Sequence, residues 1–401
     1  MEDFRDPLGG EYATVVLTGS TGSIGSYLLD ALLDQWHVRK IYCLNRAQDG
    51  EAAQTKASGS RGLDTDWIEP RIEFLRADLS QPDLGLHPIK YDEMLERVTH
   101  IIHSQWPVNF NWDFSTFEPH IQGVRRLLDF SYASPKKAQL LFLSTTGSVS
   151  HLSSSKPVPE RPCDVLSPDL NGYNASKLIS ELIIEDEVRS TGENNAAICR
   201  VGQVAGPVEK EGGEWNRQEW VPTMIASSKR IGYLPADLGA LDNLSWIPVD
   251  ILADVILELA GIIQKPQDLP SRKSHAVNGA NNKPEYKSHA TVYHATNPHS
   301  IRWAELVPTV ADALHISSDK IVPWADWVNA LRSSAEGNED PEANTGLKLL
   351  DYFESLGGVE DGQGVMPTLA TELTRRQSET LAALDPVGPQ WMKLWLKQWA
   401  L

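Results

Sequence analysis

A short apolar run, a glycine-rich turn and a helix-patterned segment, in that order, constrain this chain more than any other feature. Ala13-Thr14-Val15-Val16-Leu17-Thr18 is apolar and β-branched, the pattern of a strand buried on both faces. Gly19-Ser20-Thr21-Gly22-Ser23-Ile24-Gly25 follows with glycines spaced GxxGxxG, and residues 24–33 carry apolar side chains at helical spacing. In such a unit Gly19 permits the tight turn, Gly22 lets backbone approach a diphosphate, and Gly25 lets helix pack on strand. Ser20, Thr21, Ser23 and Ile24 then surround an anion with N–H groups at the positive end of a helix. Residues 40–44, 71–75, 100–103, 139–144 and 196–200 read as further strands, with helical segments between them, notably 117–132 and 172–188. Alternation of this kind implies an α/β, Rossmann-type doubly wound parallel sheet.

The end of the second strand selects among dinucleotides. An NAD site places a carboxylate there for the ribose 2′-hydroxyl. This chain has Asn45-Arg46. A guanidinium grips a 2′-phosphate with paired hydrogen bonds, so NADPH is the expected cofactor. Lys56 or Arg61 is the candidate for a second positive charge, Asp78 and Leu79 are placed to meet the adenine, and Ser104 ends the fourth strand at the same site.

Tyr173-Asn174-Ala175-Ser176-Lys177 sets a phenol and an amine four residues apart, on one face of a helix. An ammonium beside a phenol stabilises the phenolate, which suits the tyrosine to acid–base work. The same lysine can hold the nicotinamide ribose. A third hydroxyl is expected at the end of the fifth strand, where Ser144, Thr145, Thr146 and Ser148 all offer one.

Together, the 18–25 turn, Thr146 and the Tyr173/Lys177 pair resemble an extended short-chain dehydrogenase/reductase. More narrowly, the chain is similar to the thioester reductase domain that ends fungal nonribosomal-peptide-synthetase-like enzymes and carboxylic acid reductases. Ile41-Tyr42-Cys43-Leu44-Asn45-Arg46, the 101–111 segment, Phe117-Glu118-Pro119-His120, the 200–206 segment and Trp246-Ile247-Pro248-Val249-Asp250 carry that closer likeness. One departure is His103-Ser104-Gln105, where relatives commonly show His-Asn-Ala. The resemblance implies Thr146 as the catalytic hydroxyl, with Thr145 as its alternate, Tyr173 as proton donor and Lys177 as its partner. It implies reduction of an acyl thioester on a carrier-protein phosphopantetheine arm to an aldehyde, with a second reduction to an alcohol left open. Tyr173 favours reduction over the redox-neutral ring closure of relatives that lack it.

The expected division is a cofactor-binding domain over 1–202 and a mostly helical substrate- and carrier-binding region over 203–401, with parts of 203–300 returning to the sheet. The substrate channel is expected between them, with Thr145, Gln203, Val204, Trp220, Val221, Met224 and Trp246 as its wall. Trp391, Trp395 and Trp399 share one helical face, which suits a terminal helix docked on the body, with a partner-binding helix as the alternative. Segments 264–290 and 333–346 read as surface loops.

Composition bounds the partners. With 36 Lys+Arg against 54 Asp+Glu the net charge is −18, which disfavours nucleic acid and anionic lipid. An acidic carrier must then find a local basic or apolar patch, for which Lys229-Arg230 or the 264–290 segment is the candidate. Three scattered cysteines argue against a disulfide framework, and the histidines lack metal-ligand spacing. The start is charged and carries no signal region, and the apolar run over 251–263 is broken by Asp254 and Glu258, so a cytoplasmic protein is expected. Met1 stands twelve residues before the first strand, which fits a terminal domain of a larger multidomain synthetase. The rival readings are a nucleotide-sugar epimerase or dehydratase, disfavoured by Asn45-Arg46, and a non-catalytic dinucleotide sensor, which need not keep Thr146, Tyr173 and Lys177 together.

Overall fold

The computed structural model describes residues 12–67, 70–152, 156–210, 212–263, 289–336, 344–357 and 367–401. Seven strands form its main sheet: β1 (Ala13–Thr18), β2 (Val38–Asn45), β3 (Ile72–Arg76), β4 (His100–His103), β5 (Gln139–Thr145), β6 (Ala196–Val201) and β7 (Thr291–Ala295). Their order is β7-β6-β5-β4-β1-β2-β3, with every neighbouring pair parallel. The expected doubly wound parallel sheet is borne out. β7 is a strand that the apolar pattern did not single out.

Seven helices accompany the strands: α1 (Ser23–Asp34), α2 (Gly50–Gly59), α3 (Pro88–Arg97), α4 (Glu118–Ala133), α5 (Gly172–Thr191), α6 (Trp220–Ile231) and α7 (Val249–Leu259). The period-2 alternation of the strands divides two apolar layers. Val15, Leu17, Ile41, Cys43 and Ile102 join Leu28 and Leu32 of α1 and Leu252 and Ile256 of α7. Val16, Tyr42, Leu44 and Ile101 join Met94 of α3, Leu127 of α4 and Ile184 of α5. The strand order reverses at β1, so a crevice opens beyond the carboxyl ends of β1 and β4, where such folds take ligands. Thr18 and His103 pair in register there, and Thr18 Oγ1 is hydrogen-bonded to His103 Nδ1 at 2.7 Å.

The C-terminal region packs on a core rich in tryptophan. Trp215, Trp246, Trp303, Trp324, Trp327, Trp395 and Trp399 are all buried. They are held by α6, α8 (Val307–Leu314), α9 (Trp324–Glu336), α10 (Leu350–Gly357) and, after two short helices, α11 (Glu372–Gln377) and α12 (Glu379–Ala382), by α13 (Pro389–Gln398). Trp395 Nε1 donates to the Gly206 carbonyl at 3.2 Å and Trp399 Nε1 to the Trp215 carbonyl at 2.9 Å, so the terminal helix is docked on the body. Of the two expected loops, residues 264–288 and 337–343 lie outside the described residues, and 333–336 continue α9. No helix among the described residues is long and apolar enough to cross a membrane, and no His/Cys/Asp/Glu cluster among them could hold a metal ion.

Candidate active site

The glycine turn is built as tightly as its spacing requires. Gly19 has φ +73°, and a Cβ there would lie 2.7 Å from the Gln105 backbone nitrogen. A Cβ on Gly25 would lie 2.0 Å from the Gly19 carbonyl oxygen, so any larger residue would displace α1 from the turn. Gly22 caps α1 without a side chain, and no acidic residue follows in the first turn. The Ser23, Ile24 and Gly25 N–H groups precede the first intrahelical bond, from Ser26 to Gly22 O at 3.0 Å, and so remain for an anion.

Beside the turn lies a cavity of about 460 Å³ whose lining includes Arg46, Arg76, Asp78, Leu79, Gln105 and His120. Asp78 is held below the usual carboxylate range by hydrogen bonds from Ser80, with a smaller contribution from Arg46. Asn45 is buried, accepts from the Ala47 N–H at 3.1 Å, and has an Nδ2 group with no protein partner. A backbone cradle that no Cβ could share, a helix end without a side-chain cap, two guanidinium groups and an orphaned amide together fit a dinucleotide. Two sequence candidates fall elsewhere: Lys56 is exposed near the end of α2, and Arg61 bonds the Ala57 carbonyl at 2.6 Å. The second charge at this cavity is Arg76, at the end of β3, which sequence reasoning missed because it looked for it on and just after α2, at Lys56 or Arg61. The signal was available, since Arg76 ends an edge strand and Arg46 directly follows the neighbouring strand.

Tyr173 and Lys177 arise from the first turns of α5, whose start is capped by Asn171 accepting from the Asn174 N–H at 2.9 Å. Asn174 packs so closely on the turn 146–149 that a Cβ on Gly147 would lie 2.2 Å from its Oδ1. The helix is thereby locked to the end of β5. Burial pushes the Tyr173 phenol up to about 12, opposed by a hydrogen bond with the Thr145 side chain. Thr145 also accepts from the Gly147 N–H at 3.1 Å. Thr145 thus ends β5 near the phenol, and Thr146 follows it at the start of the turn.

Lys177 is 3% exposed, and its Nζ donates to the Leu143 carbonyl at 2.5 Å. It lies over the Trp106 and Phe142 rings at 4.2 and 4.6 Å. Burial holds the amine well below its ordinary value, with Glu181 pulling the other way. The expected lowering of the phenol by the ammonium is absent: Lys177 is not among the groups that shift Tyr173. In this chain the phenol is a protonated donor at neutral pH, which suits reduction.

Beneath these groups lies an ion pair that sequence reasoning also missed. Glu181 and Arg200 are 1% and 0% exposed in their side chains and meet at 2.6 Å. Glu181 also accepts from Ser144 Oγ at 2.5 Å and Ser148 Oγ at 2.8 Å, the hydroxyls that flank Thr145 and Thr146. Arg200 reaches His294 Nε2 of β7 at 3.2 Å.

Two buried histidines make stability depend on pH. Burial holds His103 down to about 3, with Lys177 and His120 adding to it, and burial together with Arg200 holds His294 down to about 4. Unfolded, both take protons near 6.5. Their contribution is complete above 6.5 and is lost as pH falls towards 4. Each then removes up to about 1.4 kcal/mol per pH unit. Because burial raises Glu219 to about 7 and Asp254 to about 6, which works in the opposite direction over the same range, the check is made ring by ring: NMR titration of the folded chain should show neither His103 nor His294 taking a proton above pH 5, and a ring that titrates near 6.5 would contradict its burial.

The candidates for the channel wall divide. Trp220 Nε1 donates to Gln203 Oε1 at 3.0 Å, and Gln203 Nε2 donates to the Val204 carbonyl at 2.8 Å, which brings those three together at half-buried positions. Val221, Met224 and Trp246 are instead in the tryptophan-rich core, each at most 3% exposed. Ser104 packs on the Gly19 turn, where its carbonyl carbon lies 3.0 Å from a Cβ built on that glycine.

Comparison with known proteins settles the family. A family model described as male sterility protein, an NAD-binding domain, matches residues 17–256. The chain belongs to this family. Its cofactor class is accordingly a nicotinamide dinucleotide. The chain is 40% identical to a carboxylic acid reductase of Neurospora crassa over 97% of its own length and 35% of that protein. It is 30% identical to the adenylate-forming reductase Nps10 of Heterobasidion annosum over 96% of the chain and 34% of that protein. The chain thus spans about a third of the length of these relatives. Among solved structures it is similar to the terminal R domain of the myxalamid PKS-NRPS pathway, with TM-score 0.71 and 23% identity, covering 99% of this chain and 92% of that one. The reductase domain of a nonribosomal peptide synthetase from Mycobacterium tuberculosis gives 0.70 and 22%, covering 94% and 86%. The resemblance read from the sequence is borne out, and the solved structures share the fold.

Proposed function

We propose that this domain uses NADPH to reduce an acyl thioester, presented on the phosphopantetheine arm of a carrier-protein domain, to an aldehyde. One juxtaposition carries the reading: Tyr173, with Thr145 of β5 near its phenol, stands at the carboxyl edge of the same sheet whose crevice is lined by Arg46 and Arg76. The names of the relatives support the reaction, and a solved thiolation-reductase di-domain of the same fold supports the partner.

The turn 19–25 and the start of α1 hold the diphosphate, Arg46 and Arg76 the 2′-phosphate, Asp78 and Leu79 the adenine, and Lys177 the nicotinamide ribose. When bound, the dihydronicotinamide supplies hydride for the thioester carbon. Tyr173 and Thr146 donate hydrogen bonds to the carbonyl oxygen as negative charge develops there. Thr145 orients the phenol. Tyr173 then gives its proton to that oxygen. The resulting hemithioacetal loses the pantetheine thiol and leaves the aldehyde. Trp106, Phe110 and Phe117 surround Lys177 and Tyr173 with rings and limit water there. Lys229 and Arg230, exposed at the end of α6, offer positive charge to an acidic carrier.

Oxidation of NADPH together with formation of aldehyde and free thiol from an acyl-pantetheine tests the reading. Turnover of a sugar nucleotide with no net oxidation of NADPH would overturn it. Arg46→Ala should narrow the preference for NADPH over NADH by about 10–100-fold, the loss of a charge-assisted phosphate contact. An unchanged preference, measured as the ratio of kcat/KM values, would remove Arg46 from the 2′-phosphate site.

A further inference from the structure

Among the described residues, eight large apolar side chains are exposed, and six of them fall in two short segments: Val108, Phe110, Trp112 and Phe114, and Val165 and Leu166. The first of these segments adjoins the catalytic groups. The Phe110 ring stands edge-on to Tyr173 at 5.1 Å, yet Phe110 is 52% exposed. Trp112 is 40% exposed, its ring lies 5.8 Å from Phe117, and a Cβ on Gly172, next to Tyr173, would lie 2.2 Å from its carbonyl oxygen. The second segment is tied to the stretch after the turn 146–149: His151, two residues past that turn, donates from Nε2 to the Val165 carbonyl at 2.9 Å.

A clustered apolar surface of this kind marks a place where something apolar binds. Its position names the occupant. The patch begins in contact with the phenol proposed to hold the thioester carbonyl, so the group continuing from that carbonyl meets it first. Its chemistry restricts that group, because residues 104–112 contain no charged side chain and the next residue is Asp113. A carboxylate on the acyl chain would lose water there, gain no ion pair, and meet a like charge.

We infer that the loop joining β4 to α4 is the acyl-selecting wall of the site, with Phe110 and Trp112 contacting the acyl group, and that it favours uncharged, apolar acyl chains. This rests on the reduction proposed above. It explains why aromatic side chains remain half exposed beside a buried phenol.

The test is steady-state reduction of pantetheine thioesters by the purified chain with NADPH. The panel is acetyl, pentanoyl, octanoyl, benzoyl and succinyl. The parent should show kcat/KM at least tenfold higher for octanoyl or benzoyl than for acetyl, and at least tenfold lower for succinyl than for pentanoyl. In Phe110→Ala and Trp112→Ala the octanoyl-to-acetyl ratio should fall about tenfold, the range open to lost apolar contacts. Phe110→Leu should recover most of it. A parent that turns over all five thioesters alike would overturn the wall and leave the reduction standing. No turnover of any thioester would overturn the reduction itself. Variants that lower every substrate equally, or that leave the octanoyl-to-acetyl ratio of the parent unchanged, would refute acyl selection by the patch. The panel on the parent can overturn the preference even if an alanine variant fails to fold, and Phe110→Leu against the parent then places it on the loop.

Discussion

Tyr173→Phe should lower the rate of thioester reduction by ~10²–10⁴-fold, the contribution of a positioned proton donor. The substitution deletes one oxygen and keeps the ring that packs against Phe110 and Phe117 at 5.1 and 6.2 Å. The fold and the dinucleotide cradle at Gly19–Gly25 should therefore survive, which thermal melting and NADPH titration would show. Because burial raises the phenol to about 12, the parent stays protonated at this position through neutral and mildly alkaline pH. Its kcat should show no loss between pH 7 and pH 9 that Tyr173→Phe abolishes. A variant with half the parent's rate would remove Tyr173 as the acid and shift attention to Thr145 and Thr146.

Arg200→Met should cost about 3–5 kcal/mol of folding stability, because it strands a buried carboxylate. Glu181 would keep the two serine hydroxyls but lose its ion pair with Arg200. Against a typical total of about 5–15 kcal/mol this is a large fraction. Replacing both partners, with Glu181→Leu added to Arg200→Met, should recover part of the loss, since the penalty lies in the unpaired charge. Urea denaturation of the single and double variants measures it. A loss below about 1 kcal/mol in Arg200→Met would mean that water or another group reaches Glu181. The same pair links α5 to β6 beneath Ser144 and Ser148, so its rupture should also loosen the strand end that carries Thr145 and Thr146.

Local features were legible in the sequence wherever one element determined them. The first strand and the GxxGxxG turn are local, and β1 and β4 match the apolar runs read at 13–18 and 100–103. The face shared by Trp391, Trp395 and Trp399 is a matter of helical period alone, and the helix docks as that period implies. What required the tertiary fold was hidden. β7 is half of mixed polarity, Thr291-Val292-Tyr293-His294-Ala295, and becomes a strand because it completes the sheet beside β6. Arg76 joins Arg46 only because β2 and β3 run parallel and end together. Glu181 reads as one more polar residue on a helix until Arg200, nineteen residues later, is folded against it. The four-residue spacing of Tyr173 and Lys177 placed both on one face, yet the amine turns inward to Leu143 and does not lower the phenol. Spacing fixes a face, and the rotamer chosen on that face depends on what the neighbouring strand offers.

The most direct test of the central claim follows an isotope. The purified chain should be given an acyl-pantetheine thioester and NADPH carrying deuterium in the transferred position at C4 of the nicotinamide. The account predicts one deuterium on the carbonyl carbon of the aldehyde, with one thiol released for each NADPH oxidised. Release of thiol without label at that carbon, or without oxidation of the dinucleotide, would contradict it.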